Sequence, residues 1–167
     1  MHLVGPKSGR EAPEPGRFLL MVGDETGLPG IARWLEQLPA DAVGRVILEV
    51  PGPDSVQDLS APAGVRLTWL VPGEEGPDGR PGDGDGAASR GASPEADARA
   101  NTGEPGRAEV LAGRTALEVV ERMPVPEGPA FAWLAGESAA LRPVRRLLLE
   151  QWGLDKRSMH ALSLIHI

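Results

Sequence analysis

Two short turns in the sequence combine glycine, acidic and hydroxyl residues in a pattern suited to binding an anion. The first runs Gly23-Asp24-Glu25-Thr26-Gly27, and the second runs Ala135-Gly136-Glu137-Ser138. Each lies between a short apolar run and an amphipathic stretch, so each is predicted to lead from a buried strand into a helix. The N–H groups and partial positive charge at a helix start favour a phosphate or carboxylate. Gly23 and Gly136 would let such a group approach the backbone closely.

The same residues also fit two capped turns that bind no ligand. Thr26 or Gly27 could cap the first helix, and Ser138 is a residue type that caps helices. Asp24 and Glu25 would repel a pyrophosphate if their side chains pointed at it. Neither turn has the G-x-G-x-x-G spacing of the dinucleotide fingerprint. Spacing alone therefore leaves open both a ligand crevice and a pair of capped turns with acids facing solvent.

The rest of the chain offers no pattern for a metal site or a nucleophile. The 167 residues include no cysteine, which excludes disulfides, thiolate nucleophiles and cysteine-ligated metals. His2, His160 and His166 are too scattered to ligate one metal. No Ser-His-Asp set can be argued, so no catalytic residue is predicted. Three arginines on one predicted helix form either a solvated face or a surface that steers an anion or meets a partner domain: Arg142, Arg145 and Arg146.

Short apolar strands alternate with amphipathic helices around these turns. Strands are predicted at residues 18–22, 46–50, 65–71 and 131–135. Helices are predicted at residues 28–38, from about 108 to 123, and from the second turn to about 152. Pro143 would fit the first turn of a helix, which sets the regular part of the last helix near Leu141. The alternation predicts an α/β domain with a parallel sheet flanked by helices. If the first and fourth strands are neighbours, both turns open onto one crevice at their carboxyl ends.

Composition separates a disordered part of the chain from the ordered part and narrows its class. Residues 72–107 are rich in Gly, Pro, Asp, Glu, Ser and Arg, so they are predicted to be a disordered insertion. The formal net charge of −7 disfavours nucleic acid as a partner. The N-terminus lacks the apolar stretch of a signal peptide, and no run approaches the ~20 apolar residues of a membrane span. We therefore expect a cytoplasmic protein.

Two longer segments carry a family resemblance. The first, LLMVGDETGLPGIARWLEQLP (residues 19–39), contains Gly-Asp-Glu-Thr followed by Leu-Pro and Ile. The second, FAWLAGESAALRPVRRLLLEQWGLDKRSM (residues 131–159), contains Trp-x-Ala-Gly-Glu, an Arg-containing helix and Gly-Leu-Asp. Val4-Gly5-Pro6 resembles a junction between two domains. In this order, the segments resemble signatures of the siderophore-interacting proteins, a family of NAD(P)H-dependent ferric-siderophore reductases.

The resemblance implies a Rossmann-like NAD(P)-binding domain of the ferredoxin-reductase type over residues 18–162. In the family a flavin-binding barrel precedes this domain, and hydride passes from NAD(P)H to FAD. Electrons then reduce Fe(III) held by a siderophore, which releases the iron. The expected partners are thus the ferric siderophore and the barrel. Matching residue by residue places the nucleotide crevice at Gly23, Asp24, Glu25, Thr26, Ala135, Gly136 and Glu137, with no metal bound by the chain.

The sequence departs from the family pattern in three places. Residues 1–17 are too few for the barrel and are expected to be a remnant of the interdomain linker, which leaves this chain inactive alone. Val71-Pro72-Gly73 stands where many members have a basic residue, so the choice between NADH and NADPH stays open. Residues 163–167 resemble a translated adapter sequence and are expected to be a non-native tail. The alternatives are a stand-alone, non-catalytic nucleotide-binding module and an inactive remnant, which the upstream DNA would distinguish.

Overall fold

The strands predicted from the sequence lie side by side in one parallel sheet. The computed structural model describes residues 16–73 and 108–163, and within them the sheet has six strands in the order β4-β3-β2-β1-β5-β6. The strands are β1 (Phe18–Asp24), β2 (Val43–Glu49), β3 (Gly64–Val71), β4 (Glu109–Ala112), β5 (Ala130–Gly136) and β6 (Met159–Ser163). The helices are α1 (Leu28–Gln37), α2 (Ala116–Glu121) and α3 (Ser138–Glu150), with a 3-10 turn at Pro53–Ser55. The predicted α/β class with a parallel sheet is confirmed.

The continuous apolar run of β1 is explained by burial on both faces of the sheet. Leu19 and Met21 belong to one hydrophobic cluster, and Leu20 and Val22 belong to the cluster on the opposite face. A strand covered on both sides needs apolar residues at every position rather than at alternate ones. β1 is therefore a central strand, as its position between β2 and β5 shows.

The first helix of the chain covers one face of the sheet, and the two later helices cover the other. Helix α1 packs Leu28, Ile31 and Leu35 onto one face, where the segment between β2 and β3 also contributes Val56 and Leu59. Helices α2 and α3 cover the opposite face, and their buried residues lie in the second cluster: Ala116, Val119, Val120, Leu141, Val144, Leu147 and Leu148. Within the described residues no helix is long and apolar enough to cross a membrane.

The predicted helix from about 108 to 123 is wrong in its first half. Residues 109–112 form β4, which pairs with β3 in register Trp69↔Val110. Gly113, at φ 64°, turns the chain, and helix α2 begins only after Thr115. Arg45 Nη2 lies 3.2 Å from Glu109 Oε2, which ties β4 to β2 across β3. The apolar residues have a helical spacing by coincidence, and the pairing of β4 with β3 decides the structure.

The start of α3 also differs from the prediction. The helix begins at Ser138, not near Leu141, so Pro143 lies inside it.

Strand β6, which pairs with β5, was not predicted, and it includes Ser163 from the expected non-native tail. The tryptophans are buried or half-buried as expected: Trp34, Trp69, Trp133 and Trp152. Most of the predicted insertion and of the predicted linker, and residues 164–167, lie outside the described residues.

Candidate functional site at the carboxyl edge of the sheet

The two turns singled out in the sequence meet at the point where the order of the strands reverses. From β1 the chain moves outward through β2 and β3, and later returns to place β5 on the other side of β1. Strands β1 and β5 pair in register Gly23↔Ala135, so their carboxyl ends lie together. Open α/β sheets bind ligands in the crevice at such a switch point. The first and fourth predicted strands are therefore neighbours, which was the condition for both turns to open onto one crevice.

Asp24 joins the two turns through its carboxylate. Its Oδ1 accepts hydrogen bonds from Thr26 N at 2.9 Å, from Gly27 N at 3.2 Å and from the Thr26 hydroxyl. Its Oδ2 accepts a hydrogen bond from Glu137 N at 2.8 Å. The side chain thus accepts hydrogen bonds from N–H donors at the starts of both α1 and α3. The ligand interpretation had expected an external anion to accept hydrogen bonds there. The alternative interpretation, in which Asp24 faces solvent without a role in the turns, therefore does not hold.

The protonation of Asp24 follows from these contacts. Partial burial opposes ionisation, but the hydrogen bonds from the Thr26 hydroxyl and from the N–H groups of Glu137, Gly27 and Thr26 outweigh it. The pKa of Asp24 is therefore lower than its ordinary value. Its negative charge is shared among several donors, which reduces the repulsion that an approaching phosphate would meet.

The glycines of the turns are required by the contact between the turns themselves. A Cβ on Gly136 would lie 2.5 Å from Asp24 Oδ2, and one on Gly23 would lie 2.7 Å from Ile31 Cδ1 and 2.9 Å from the Ala135 carbonyl oxygen. The close backbone approach predicted from the sequence is therefore real, but the group approached is a neighbouring part of the chain. Glycine at these positions is no evidence for a ligand.

Of the two residues predicted to cap α1, the structure has Gly27 and not Thr26, and the predicted capping by Ser138 is wrong. The N-cap of α1 is Gly27 and that of α3 is Glu137, and neither makes a side-chain capping bond. The hydroxyl of Thr26 donates to Asp24 instead. The first N–H groups of a helix have no acceptor within it. Helix α3 begins at Ser138, so the N–H groups of residues 138–140 have no acceptor within the helix.

Two adjoining cavities lie at this edge of the sheet. One has a volume of about 250 Å³ and the other about 350 Å³, and both are lined by Asp24, Glu49, Glu137 and Ala140. Glu25 and Thr26 line the larger, and Thr115 and Leu141 are among the residues that line the smaller. We call the two together the carboxyl-edge crevice. Its size falls in the range of about 300–1,000 Å³ that holds small ligands and cofactors.

Another cavity, also of about 350 Å³, lies at the opposite edge of the sheet. It is lined by residues at the amino ends of β1 and β2 and in the segment before β5, including Phe18, Leu38, Ala42 and Gly128. None of the described residues that line it lies at the start of a helix, and parallel sheets bind ligands at the other edge. We therefore take the carboxyl-edge crevice as the candidate functional site.

Glu49 belongs to the crevice and was missed in the sequence. It is the last residue of β2, its side chain is exposed, and it lines both cavities. Partial burial of the carboxyl group and the nearby Asp24 carboxylate raise the pKa of Glu49. Its position, an acidic residue at the end of the second strand of a strand-helix-strand unit, is the signal in the sequence that could have identified Glu49 as a site residue.

The predicted site residues fall into three groups. Asp24, Glu25, Thr26 and Glu137 line the crevice, Gly23 lines the smaller cavity at the end of β1, and Ala135 and Gly136 are buried behind it in β5. The arginines of α3 are exposed, and Arg146 pairs with Glu150 at 2.9 Å. In residues 16–73 and 108–163, no group of three or more metal-binding side chains is present.

The crevice fits a nicotinamide dinucleotide in the types of group that it presents. The start of α3 suits the pyrophosphate, because its N-cap residue Glu137 makes no side-chain capping bond. The Glu49 carboxylate suits a ribose, because it can accept hydrogen bonds from the ribose hydroxyls. Apolar contacts from Val22, Leu141 and Pro143 are available to an aromatic ring or a sugar.

The comparisons with known proteins agree on one family. The family model described as siderophore-interacting protein matches residues 17–163. Ferric vibriobactin reductase ViuB of Vibrio cholerae is 24% identical over 162 residues, which cover 96% of this chain and 47% of ViuB. Since the family model matches most of the chain, this chain belongs to the siderophore-interacting protein family.

Solved structures agree with the fold. The siderophore-interacting protein SipS of Aeromonas hydrophila is similar with a TM-score of 0.59 and 30% identity, over 90% of this chain and 46% of SipS. The cytochrome b5 reductase domain of Ulva prolifera nitrate reductase is similar with a TM-score of 0.50 and 16% identity, over 87% of this chain and 50% of that chain. The domain thus has the ferredoxin-reductase type of fold. The chain spans less than half the length of ViuB and of SipS.

Proposed function

We propose that this chain is the NAD(P)H-binding part of a flavin-dependent ferric-siderophore reductase. The observation that carries the proposal is the carboxyl-edge crevice at the strand reversal, in a chain that belongs to the siderophore-interacting protein family. The name of ViuB, a ferric vibriobactin reductase, supports the reductase assignment. The cofactors supply the redox chemistry when bound: hydride from NAD(P)H to FAD, and electrons from there to Fe(III) in the siderophore.

The residues of the chain would bind and orient the nucleotide. The N–H groups at the start of α3 would donate to the pyrophosphate, and Glu49 would accept from a ribose hydroxyl. Asp24 would act indirectly, because its bonds to Thr26, Gly27 and Glu137 fix the two turns that form the floor of the crevice. A fixed floor reduces the ordering cost of binding.

The flavin and the siderophore would be bound by a part of the parent protein outside these residues. The length of the relatives supports this part of the proposal, because the chain spans 47% of ViuB and 46% of SipS. The chain by itself would then bind nucleotide without reducing iron. A binding assay is therefore a more direct test of this chain than an activity assay.

The test is calorimetric titration of the purified chain with NADH and with NADPH, using two matched variants. Ala140 is exposed on α3 and lines both cavities, whereas Ala139 is exposed on the same turn and lines neither. We expect Ala140→Trp to weaken binding of whichever nucleotide binds by about tenfold or more, because the indole fills the crevice. Ala139→Trp is expected to leave the dissociation constant unchanged.

Two outcomes would contradict the proposal. One is the absence of saturable binding by the wild-type chain at millimolar nucleotide, with circular dichroism showing that it is folded. The other is equal weakening by both tryptophan variants, which would show that the effect does not come from the crevice. Gly136 is unsuitable for this test, because any side chain there collides with Asp24.

A further inference from the structure

Asp24 and Glu49 end neighbouring strands and place two carboxylates side by side in the carboxyl-edge crevice. They are partners in the parallel register of β1 with β2, so their side chains leave the same face of the sheet. Both side chains line both halves of the crevice. The ligand proposed for the crevice carries a pyrophosphate, which brings further negative charge close to this pair. The site therefore has to accommodate like charges when the ligand binds.

Only one of the two carboxylates has hydrogen-bond donors. Asp24 accepts from N–H groups of both turns and from a hydroxyl group, which stabilise its negative charge. In the part of the chain that the structure describes, no donor or cation contacts the carboxylate of Glu49. Donors to the charged form oppose protonation of Asp24, and no such contact opposes protonation of Glu49. Glu49 is therefore the member of the pair that can lose its charge.

The groups that face Glu49 from the surrounding elements are acidic or uncharged. The other charged residues that line the crevice are Asp24, Glu25 and Glu137. On β3, the strand partner of Glu49 is the apolar Leu70. Near α2, Arg114 is outside the described lining, and its charge acts on Glu118. Among the lining residues that the structure describes, no cation offsets the charge of Glu49.

We propose that Glu49 takes up a proton when a dinucleotide enters the crevice, so that binding becomes tighter as the pH falls. The inference rests on the proposed function, since it describes how the same site accommodates the pyrophosphate. The proton comes from solvent and returns to it on release of the ligand. Uptake converts the carboxylate to a neutral carboxyl group, which removes one of the like charges. The neutral group still accepts a hydrogen bond from a ribose hydroxyl through its carbonyl oxygen.

The environment of Glu49 in the free chain favours the same change. Partial burial of the carboxyl group and the nearby Asp24 carboxylate raise the pKa of Glu49 above its ordinary value. A bound pyrophosphate adds negative charge and displaces water, so the pKa rises further in the complex. Affinity is then expected to increase as the pH falls through the pKa of the complex, and to become constant below the pKa of the free chain.

The experiment is calorimetric titration of the 167-residue chain with ADP-ribose, which contains the pyrophosphate and no redox-active ring. Titrations in buffers that differ in ionisation enthalpy give both the dissociation constant and the number of protons taken up. For the wild type we expect uptake of up to about one proton, and a dissociation constant that falls by up to about tenfold per pH unit between about pH 7.5 and about pH 5.5.

Glu49→Gln removes the charge with almost no change in shape. It is expected to abolish the proton uptake and most of the pH dependence, and to tighten binding about fivefold at neutral pH, because one like charge is absent. Any proton bound by the ligand itself is common to wild type and variant, so the difference between them belongs to Glu49. Because Glu49 is exposed, the variant is expected to keep the wild-type melting temperature, which confirms folding.

The matched control is Glu36→Gln on α1. Glu36 is exposed and is not among the residues that line the crevice, and its replacement changes the net charge by the same amount. Proton uptake and the pH dependence of binding are expected to stay at the wild-type values. This separates a local effect of Glu49 from a general effect of protein charge.

The outcomes separate this inference from the proposed function. Binding by the wild type that stays constant or weakens as the pH falls, without proton uptake, overturns the inference and leaves nucleotide binding intact. Proton uptake that persists in Glu49→Gln, or is lost in Glu36→Gln, overturns the role of Glu49. If ADP-ribose does not bind to the folded chain at any pH, the proposed function fails and the inference fails with it.

Discussion

Asp24 links the two turns that form the crevice. One carboxylate oxygen accepts from Thr26 and Gly27, and the other accepts from Glu137, which is distant in sequence. The sequence identified Asp24 as a site residue but suggested that it either repels a ligand or faces solvent. The partner of its second oxygen depends on the pairing of β1 with β5, which no local pattern reveals.

Asp24→Asn is expected to destabilise the chain by about 1–2 kcal/mol, as the loss of a capping carboxylate does in other proteins. The amide nitrogen that replaces Oδ2 cannot accept from Glu137 N, so the link between the turns is lost. Denaturant unfolding of both chains measures the difference. Glu25→Gln is the control, because Glu25 is the neighbouring exposed acid.

The destabilisation by Asp24→Asn is expected to depend on pH. Hydrogen bonds make the folded pKa of Asp24 lower than the unfolded value of about 3.9. Stabilisation by the ionised group is therefore complete above the unfolded pKa and is lost as the pH falls through the folded pKa. The difference between wild type and variant should be constant near neutral pH and shrink in acid. A difference that grows as the pH falls would contradict this assignment.

The other site residues show how far residue types can predict a site. Gly23 and Gly136 were correctly identified as positions of close approach, but the approach is between parts of the chain. Glu49 was missed, because its significance comes from its place at the end of β2 beside Asp24. Residue types thus indicated the edge of the sheet at which we propose the site, and the pairing of the strands was needed to show which side chains contact one another.

At the scale of elements, the strongly periodic segments were predictable and the mixed ones were not. Helix α1 and strands β1, β3 and β5 follow their apolar patterns within about two residues, which is the usual uncertainty of element ends. The segment at 109–121 misled because β4 is only four residues long and its burial alternates weakly. Its identity as a strand comes from β3, which supplies the hydrogen-bonding partner.

Pro143 offers a test of where α3 begins. Inside a helix that starts at Ser138, proline leaves the Ala139 carbonyl without its intrahelical donor. Pro143→Ala is therefore expected to stabilise the chain by about 1–3 kcal/mol in denaturant unfolding. If the helix instead began near Leu141, proline would lie in its first turn and the substitution would have little effect or be slightly destabilising. Arg142→Ala, at the adjacent exposed position, is the control.

At the scale of the whole molecule, the sequence predicted the class of fold and the family resemblance but not the order of the strands. Alternating strands and helices imply a parallel sheet, and the two signatures were sufficient to identify the family that the comparisons then showed. The addition of β4 and β6 as the outer strands was not predicted. The reversal between β1 and β5 is what brings the two turns together and places the crevice.

The central claim is that the carboxyl-edge crevice, and not the cavity at the amino edge, binds the nucleotide. Titration of the ¹⁵N-labelled chain with NADH, followed by amide chemical shifts, tests it directly. We predict that the largest shifts occur at Thr26, before α1, and at Glu137 and Ala140, around the start of α3. Shifts centred on Leu38, Ala42 and Gly128 would place the ligand at the amino edge and contradict the assignment.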